Sequence, residues 1–231
     1  MVAGNYQHIW DTCCDHGLLG EALLCDQIAN KPSVNKSTVI HFVDIVPNIM
    51  SRITNKLQQH FAHCTPLWKT HCLDLANLPI ACYEGKHLLI ISGISGELMA
   101  NLIIRFVKQH SVEQLNNIEF LLCPAHGQLA LRSALIALNF SLSDESLVED
   151  NQRFYEVLRV SPQMTGTAIS LVGDKIWHYP RLSSRYLTKI LNHYQRKQAG
   201  FLKSRISDRY DSEIKTLQKT INAYKAVKLA K

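Results

Sequence analysis

The chain has 231 residues, of which 46% are hydrophobic and 19% are charged. This length and composition allow one or two globular domains and exclude a disordered chain, a collagen and a small disulfide scaffold. The formal net charge is +6 and there are seven cysteines. The N-terminus lacks the pattern of a signal peptide, and no apolar run approaches the roughly 20 residues of a membrane span, so we expect a cytoplasmic protein with free thiols.

Five short apolar segments predict β-strands that are buried on both faces, as the strands of a parallel sheet are. They are residues 8–11, 38–44, 67–71, 87–92 and 118–123. Four segments with apolar residues at helical spacing alternate with these strands, and they are residues 18–29, 47–60, 96–110 and 127–138. The alternation predicts an α/β fold with a Rossmann-like, doubly wound and mostly parallel sheet.

The stretch from Asn139 to Val160 breaks this alternation. Residues 140–142 and 154–160 have the composition of strands, and a polar turn rather than a helix joins them. Two strands connected in this way predict an antiparallel pair at one edge of the sheet. We therefore predict a first domain over residues 1–162 and a second over residues 163–231.

A helical appendage is predicted after Pro180. Two series of mostly apolar residues with alternating spacings of four and three run from Leu187 to Phe201 and from Tyr210 to Tyr224. This spacing is typical of helices that pack along a seam, so the segment is expected to form a helical hairpin resembling a short coiled coil.

The charge is distributed unevenly between the two predicted domains. Residues 1–180 carry 12 basic and 16 acidic side chains, a net of −4, whereas residues 181–231 carry 13 basic and 3 acidic side chains, a net of +10. The basic block indicates a polyanionic partner such as RNA, and the alternative is a solvated helix face. Its candidate phosphate contacts are Arg181, Arg185, Lys189, Arg196, Lys197, Lys203, Arg205 and Arg209. The tyrosines that could stack on bases are Tyr186, Tyr194 and Tyr210, although the last two occupy seam positions.

Ligands of open α/β sheets bind beyond the carboxyl ends of the strands. Asp44 ends the second predicted strand, where an acid can accept from both hydroxyls of a ribose; the alternative is a loop or capping acid. Asp74 follows the third strand, where it could accept from the amine of an adenine or cap a helix. Gly93 and Gly96 follow the fourth strand and leave room for a ligand, although tight turns use glycine for other reasons.

The loop after the first strand has the sequence DTCCDHGLLG over residues 11–20. It lacks the G-x-G-x-x-G pattern that cradles a pyrophosphate, because Gly17 and Gly20 are its only glycines. The acids Asp11 and Asp15 suit a sulfonium or an ammonium group. The loop therefore favours S-adenosylmethionine over a nicotinamide cofactor.

These residues resemble a known family of class I methyltransferases, the bacterial tRNA (adenine-22-N1)-methyltransferases. The first loop is similar to that family's D-I-G-[ST]-D-H-A-x-L-P, with the Asp-His pair in register. Gly93 to Gly96 is similar to its G-M-G-G, and Leu121 to Pro124 to its L-I-L-Q-P. Further similar elements lie at residues 131–132, 139, 145–151 and 155–160. The resemblance runs in order from residue 8 to residue 160 and continues into a basic helical tail.

The resemblance implies methyl transfer from S-adenosylmethionine to N1 of an adenine, adenine 22, in tRNA. With the strand ends, it predicts as cofactor contacts Asp11, Cys13, Asp15, His16, Gly17, Asp44, Ile45, Asp74, Leu75 and Gly93. The predicted substrate contacts are Gly96, Pro124, Arg185, Lys189, Arg196 and Lys197. Asp15 is the candidate catalytic residue, and a structural carboxylate is the alternative.

Three residues depart from the family pattern. Cys13 replaces the glycine of the first loop, Cys123 replaces the Gln before Pro124, and Ala125 stands where the family usually has Asn. The first change narrows the room beside the cofactor, and the others affect the expected pocket for the target base. A methyltransferase acting on another RNA or on protein, and an RNA-binding protein with a degenerate, non-catalytic fold, therefore remain alternatives.

No metal site is expected. His60, His63, Cys64, His71 and Cys72 are close in sequence, but they lack the spacing of a zinc site. The sequence does not decide the oligomeric state.

Overall fold

A computed structural model of the chain describes residues 2, 5–30, 38–203, 207–227 and 229, without the side chains of residues 30, 203 and 207–211. The chain divides into two compact units. The first comprises Met1–Asp144 and Val157–Ala168, and the second comprises Glu145–Glu156 and Ile169–Lys231. The division at residue 162 stays a prediction. Four residues of the sequence analysis have side chains outside the described part, namely Lys203, Arg205, Arg209 and Tyr210.

The strands are β1 (His8–Thr12), β2 (Val39–Asp44), β3 (Trp68–Cys72), β4 (His87–Ser92), β5 (Ile118–Cys123), β6 (Ser141–Asp150), β7 (Arg153–Ser161) and β8 (Thr167–Ala168). In the described part of the chain they form one sheet in the order β3-β2-β1-β4-β5-β7-β6-β8. Strands β1 to β5 pair in parallel, and β7 pairs antiparallel with β5. This arrangement confirms the predicted Rossmann-like sheet with an antiparallel edge.

The helices are α1 (Leu18–Asn30), α2 (Pro47–Phe61), α3 (Gly96–Gln109), α4 (Val112–Leu115), α5 (Gln128–Ala137), α6 (Pro180–Lys203) and α7 (Ser207–Lys225). Individual residues determine where two of these helices begin. Pro47 occupies the first turn of α2, where a missing backbone N–H costs nothing, and the Ser95 hydroxyl caps α3 by accepting from the Leu98 amide. None of the described helices is long and apolar enough to cross a membrane.

The core of the first unit lies between the sheet and its flanking helices. Leu24 of α1, Phe42 of β2, Leu57 of α2 and Leu88 of β4 are completely buried in one apolar cluster. Burying each such side chain contributes about 1.5–3 kcal/mol. The central strands are buried along nearly their whole length, which explains why their sequences show no alternation of apolar and polar residues.

Three hydrogen-bonded histidines cross the other face of strands β1 to β3, and we call them the histidine ladder. Nε2 of His71 lies 2.9 Å from Nδ1 of His41, and Nε2 of His41 lies 3.0 Å from Nδ1 of His8. Nε2 of His8 lies 3.2 Å from the Glu84 carbonyl oxygen. The ring of His41 stacks on Trp10 at a centroid separation of 3.7 Å.

The hydrogen bond between His8 and the Glu84 carbonyl determines which nitrogen carries the hydrogen in each ring of the ladder. A carbonyl only accepts, so Nε2 of His8 must carry the hydrogen, and a neutral ring then has Nδ1 as its acceptor. His41 must therefore donate through Nε2, and His71 must do the same. Burial lowers the pKa of His41 to about 2, with the neighbouring histidines and Lys69 acting in the same direction. The ladder is thus a chain of neutral rings with one consistent tautomer.

The second unit has its own core, built by α6, α7 and the hairpin segment Glu145–Glu156. On α6 the buried residues are Tyr186, Ile190 and Tyr194, whereas Leu187 and Leu191 of the predicted seam are only partly buried. The buried stripe is therefore shifted by one residue in the first half of α6, whereas Tyr194 is buried as predicted, because α6 packs against the hairpin segment as well as against α7. The aromatic ring of Tyr186 is 4% exposed, so the prediction that it could stack on bases is wrong.

Candidate functional site

The strand order reverses between β1 and β4, which are neighbours in the sheet although α1, β2, α2 and β3 separate them in the chain. A reversal of this kind opens a crevice at the carboxyl ends of the two strands. The loops that border it follow Thr12 and Ser92. The segments identified by the sequence analysis therefore lie at this switch point.

The first loop has an unusual backbone. Cys13 and Asp15 adopt left-handed φ angles of 54° and 47°, and Gly17 has a φ of 69°. Each of the two non-glycine residues carries a conformational cost of about 1–2 kcal/mol. The loop is held in place by the Cys14 amide, which donates to the Val43 carbonyl at 3.1 Å.

Asp11 stabilises the start of α1, the helix that follows this loop. Its side chain is 3% exposed, and Oδ2 accepts from the Gly20 amide in the first turn of α1 at 2.9 Å. Burial raises the pKa of Asp11 to about 7, and the Gly20 amide opposes that shift. The structure thus gives Asp11 a role in fixing the start of α1, and its predicted contact with a cofactor stays a prediction.

Asp44 lies at the end of β2 and holds two loop amides. Oδ1 accepts from the Val46 amide at 3.0 Å, and Oδ2 accepts from the Asp15 amide at 3.3 Å. Asp44 therefore performs the role of a loop acid, and its lone pairs still allow it to accept from a ribose. Ile45, the next residue, is 63% exposed at the same strand end.

Asp74 combines two contacts. Oδ1 accepts from the Ala76 amide at 2.9 Å, which caps a short 3-10 helix, and Oδ2 accepts from the Arg105 guanidinium at 2.8 Å. The capping role was one of the two alternatives for this acid. The side chain of Leu75 is 4% exposed and lies in the core, so only its backbone remains for the predicted cofactor contact.

The thiol of Cys13 is affected by its burial and by the charges of the nearby acids. Burial raises the pKa of its thiol to about 11, and the negative charges of Asp44, Asp74 and Asp11 add to the shift. Three carboxyl groups from three strand ends thus act on one partly exposed side chain. The region disfavours an anionic ligand such as a pyrophosphate and suits a cationic one.

Gly93 and Gly96 have different surroundings. Gly93 has a φ of 77°, and a Cβ added there would meet no atom within 4 Å, so open space lies beside this backbone. A Cβ on Gly96 would lie 2.1 Å from the Gly127 carbonyl oxygen, because the start of α3 crosses the loop after β5. Pro124 is buried in that same loop. The predicted substrate contacts of Gly96 and Pro124 stay predictions, and for Gly96 the structure shows a packing role.

Asp15 and His16 border a separate cavity. It has a volume of about 310 Å³ and is otherwise lined by Leu18 and by residues of α2, including Arg52. The Asp15 carboxylate is 70% exposed and lies 3.8 Å from Nε2 of His16. The amide of Asp15 donates to Asp44 Oδ2, and the catalytic role of its carboxylate stays a prediction.

The second unit carries the basic residues. Arg185 forms a two-pronged ion pair with Glu149 at 2.6 and 2.7 Å, and Lys189 donates to the Gln152 carbonyl at 2.9 Å. These contacts tie α6 to the hairpin segment Glu145–Glu156, which the sequence analysis did not anticipate. Arg196 and Lys197 are exposed. The RNA contacts of all four cations stay predictions.

Metal-binding potential is low in the described part of the chain. No group of three or more His, Cys, Asp or Glu side chains there could hold a metal ion. All seven cysteines belong to the described residues and are free thiols.

A comparison with protein families identifies the site-bearing unit. The family model described as "Methyltransferase domain" matches residues 1–158. The chain belongs to this family. A comparison with curated protein sequences gives no match.

The methyltransferase domain and its appendage also resemble solved structures. The Bacillus subtilis M1A22 tRNA methyltransferase TrmK superposes with a TM-score of 0.69 at 16% identity, covering 96% of this chain and 92% of that chain. The structure of M. capricolum TrmK in complex with S-adenosyl-homocysteine superposes with a TM-score of 0.65 at 14% identity, covering 96% of this chain and 94% of that chain. A Streptococcus agalactiae protein of the NADB-Rossmann superfamily gives 0.68 at 17% identity, covering 97% and 91%. At these identities the likeness establishes the fold.

One residue that contacts a candidate site acid was not predicted from the sequence. Arg105 lies in the middle of α3 and reaches back to Asp74, thirty-one positions earlier. No local pattern marks this arginine, because its partner is brought close only by the crossing of α3 over the segment after β3.

Proposed function

We propose that this protein is an S-adenosylmethionine-dependent methyltransferase that methylates N1 of an adenine, adenine 22, in tRNA. The observation that carries the proposal is the position of Asp11, Asp44 and Asp74 at or just after the carboxyl ends of β1, β2 and β3, beside the switch point of a methyltransferase domain. A cationic sulfonium fits such an acidic crevice, whereas a dinucleotide pyrophosphate does not.

The residues present fit the cofactor. Asp44 would hold the ribose, Asp74 would face the adenine ring, and the open space beside Gly93 would admit the ligand against the backbone. The bound cofactor would supply an activated methyl group. Cys13, with its partly exposed thiol, would line the same crevice in place of a glycine.

The protein's part in the reaction is positioning and electrostatics. N1 of adenine has a free lone pair at neutral pH, so no side chain has to remove a proton before attack. Positive charge develops on the base as the new bond forms, and a carboxylate beside it stabilises that charge. Asp15 is our candidate for this carboxylate. An Asp15→Asn variant should then lower kcat.

A tRNA substrate is supported by the basic second unit and by the structural neighbours. Exposed cations on α6 can contact phosphates without reading sequence. The B. subtilis neighbour, similar over nearly its whole length, is a tRNA methyltransferase of M1A22 specificity. We also infer that the protein works in the cytoplasm, where tRNA is modified.

Calorimetric titration with S-adenosylmethionine tests the cofactor site. Asp44→Ala should abolish measurable binding, since it removes both the ribose acceptor and the anchor of the first loop. Glu113→Ala, which removes an exposed acid of α4, is the matched control and should bind normally. Unchanged affinity in Asp44→Ala would overturn the assignment of this site.

Methyl transfer to bulk tRNA from labelled cofactor tests the substrate. Nucleoside analysis should place the label in 1-methyladenosine. Label in protein alone, or in a different nucleoside, would contradict the proposed substrate. Analysis of tRNA from cells that lack the protein provides an independent check, because position 22 should then be unmodified.

A second function, RNA binding without catalysis, is favoured by two observations. Cys13 stands in a left-handed conformation where glycine would be unstrained, and Asp44 already uses both oxygens on loop amides. A degenerate domain of this kind would bind tRNA with no measurable affinity for S-adenosylmethionine. The same titration of the unmodified protein separates the two functions.

A further inference from the structure

A wide groove in the second unit lies outside the methyl-transfer site. It has a volume of about 690 Å³ and is lined by residues 146–148 of β6 and residues 179–182 at the start of α6. Val148 is 45% exposed and Tyr179 is 59% exposed. Exposed apolar side chains that cluster with polar neighbours mark binding sites in soluble proteins.

The chemistry of the groove favours an aromatic, uncharged ligand group. Its walls are mainly aliphatic, the ring of Tyr179 is accessible, and Arg181 is the one charged side chain among the lining residues, all of which are described. Unpaired bases of RNA stack on tyrosine rings and on guanidinium planes. The volume exceeds what one base requires, so a base and part of its sugar can enter.

A line of cations leads to this groove along α6. Arg181, Lys189 and Arg196 are all exposed. At 100° per residue they fall within about 80° of one helix face, and at 1.5 Å per residue they span about 22 Å. Such a line can follow an RNA backbone, and the groove lies at its N-terminal end, where Arg181 belongs to both features.

We infer that this groove binds one unstacked base of the tRNA, distinct from the methylated adenine, while the cations of α6 contact the adjoining phosphates. The inference rests on the proposed tRNA substrate. It gives the second unit a specific role, since base stacking fixes the position of the RNA on a surface that phosphate contacts alone would leave free to slide.

Affinity for tRNA at several salt concentrations tests the groove. Tyr179→Ala should weaken binding about tenfold at every salt concentration, because a stacked base is lost while no charge is removed. Tyr179→Phe keeps the ring and should bind like the unmodified protein. Leu202→Ala removes an exposed apolar side chain near the C-terminal end of α6 and is the matched control, with unchanged affinity expected.

A charge variant distinguishes stacking from phosphate contact. Arg196→Ala should reduce the slope of log affinity against log salt by about one, whereas Tyr179→Ala should leave that slope unchanged. Photocrosslinking of tRNA that contains 4-thiouridine to the unmodified protein is a second measurement, independent of any variant. The peptide that includes residues 179–181 should carry the crosslink.

Several results would overturn the inference. Equal tRNA affinity in Tyr179→Ala and the unmodified protein, with methylation intact, would refute the groove and leave the proposed function standing. A groove that docks a protein would give this result. Equal losses in Tyr179→Ala and Tyr179→Phe would show that the hydroxyl rather than the ring matters. Failure of the unmodified protein to bind tRNA would overturn the groove and the proposed substrate together.

Discussion

Replacing Gly96 by alanine tests the tightest backbone crossing beside the site. The added Cβ would lie 2.1 Å from the Gly127 carbonyl oxygen and 2.6 Å from its carbon, and both are backbone atoms. Because real Cβ atoms essentially never approach within 3.0 Å, the start of α3 and the loop after β5 must separate by about 1 Å. The Gly96 amide donates to the His126 carbonyl at 2.7 Å, and this bond would be stretched.

The expected loss of stability follows from these contacts. Overpacking costs about 1–3 kcal/mol, a weakened hydrogen bond adds about 1 kcal/mol, and the better helix propensity of alanine offsets up to about 1 kcal/mol. Gly96→Ala should therefore lower the free energy of unfolding by about 2–3 kcal/mol. For a chain of this size the corresponding fall in Tm is roughly 5–10 °C.

Gly93→Ala is the matched control for this variant. Its Cβ would enter open space, and only the φ of 77° opposes the change, at about 1 kcal/mol. Thermal unfolding followed by circular dichroism compares the two proteins. If Gly93→Ala were as destabilised as Gly96→Ala, the steric reasoning would be refuted, since conformation rather than contact would then govern both positions.

Three further predictions concern titration, a buried hydrogen bond and thiol reactivity. Burial lowers the pKa of His41 to about 2 and that of His87 to about 4, so the folded protein binds fewer protons than the unfolded chain below pH 6.5. The two rings together should lower the free energy of unfolding by about 2.7 kcal/mol for each pH unit below 6.5. The raised pKa of Asp11 has the opposite effect, with about half that slope. The urea midpoint should fall between pH 6.5 and 4.5, and a rise would contradict the pKa directions. Tyr186→Phe removes the donor to the buried Glu156 carboxylate, at 2.5 Å, and should cost about 1–3 kcal/mol in urea unfolding, whereas an unchanged midpoint would show that this bond is dispensable. Burial, and to a smaller extent the neighbouring acids, raise the pKa of the Cys13 thiol to about 11. Alkylation of Cys13 at neutral pH should therefore be about 100-fold slower than alkylation of the exposed Cys25, and mass spectrometry of the labelled peptides measures both rates.

The sheet could be predicted because its strands are buried on both faces. Continuous apolar runs such as Leu88 to Ile91 predict central strands wherever helical segments alternate with them, and β4 occupies the predicted residues 87–92. The shift of the buried stripe on α6 to Tyr186 and Ile190 could not be predicted, because it depends on the hairpin segment that packs against the helix. Heptad spacing describes contact with one partner helix only.

Some residues of the candidate site could likewise be predicted from the sequence, and others could not. Asp44 and Asp74 could be located because acids at the ends of buried strands are conspicuous in sequence. Their partners, Val46 and Arg105, depend on loop geometry and on the crossing of α3, for which no local pattern exists. The left-handed backbone of Cys13 could not be predicted either, because a cysteine in a sequence does not indicate a positive φ.

The histidine ladder has a direction, and that direction determines where an added proton can settle. Every ring donates towards the Glu84 carbonyl, so the acceptor at the opposite end is Nδ1 of His71. A proton taken up there leaves all three hydrogen bonds intact. A proton on Nδ1 of His41 would instead set two donors against each other. Acidification should therefore begin at β3 and break the ladder only when a second proton follows the first.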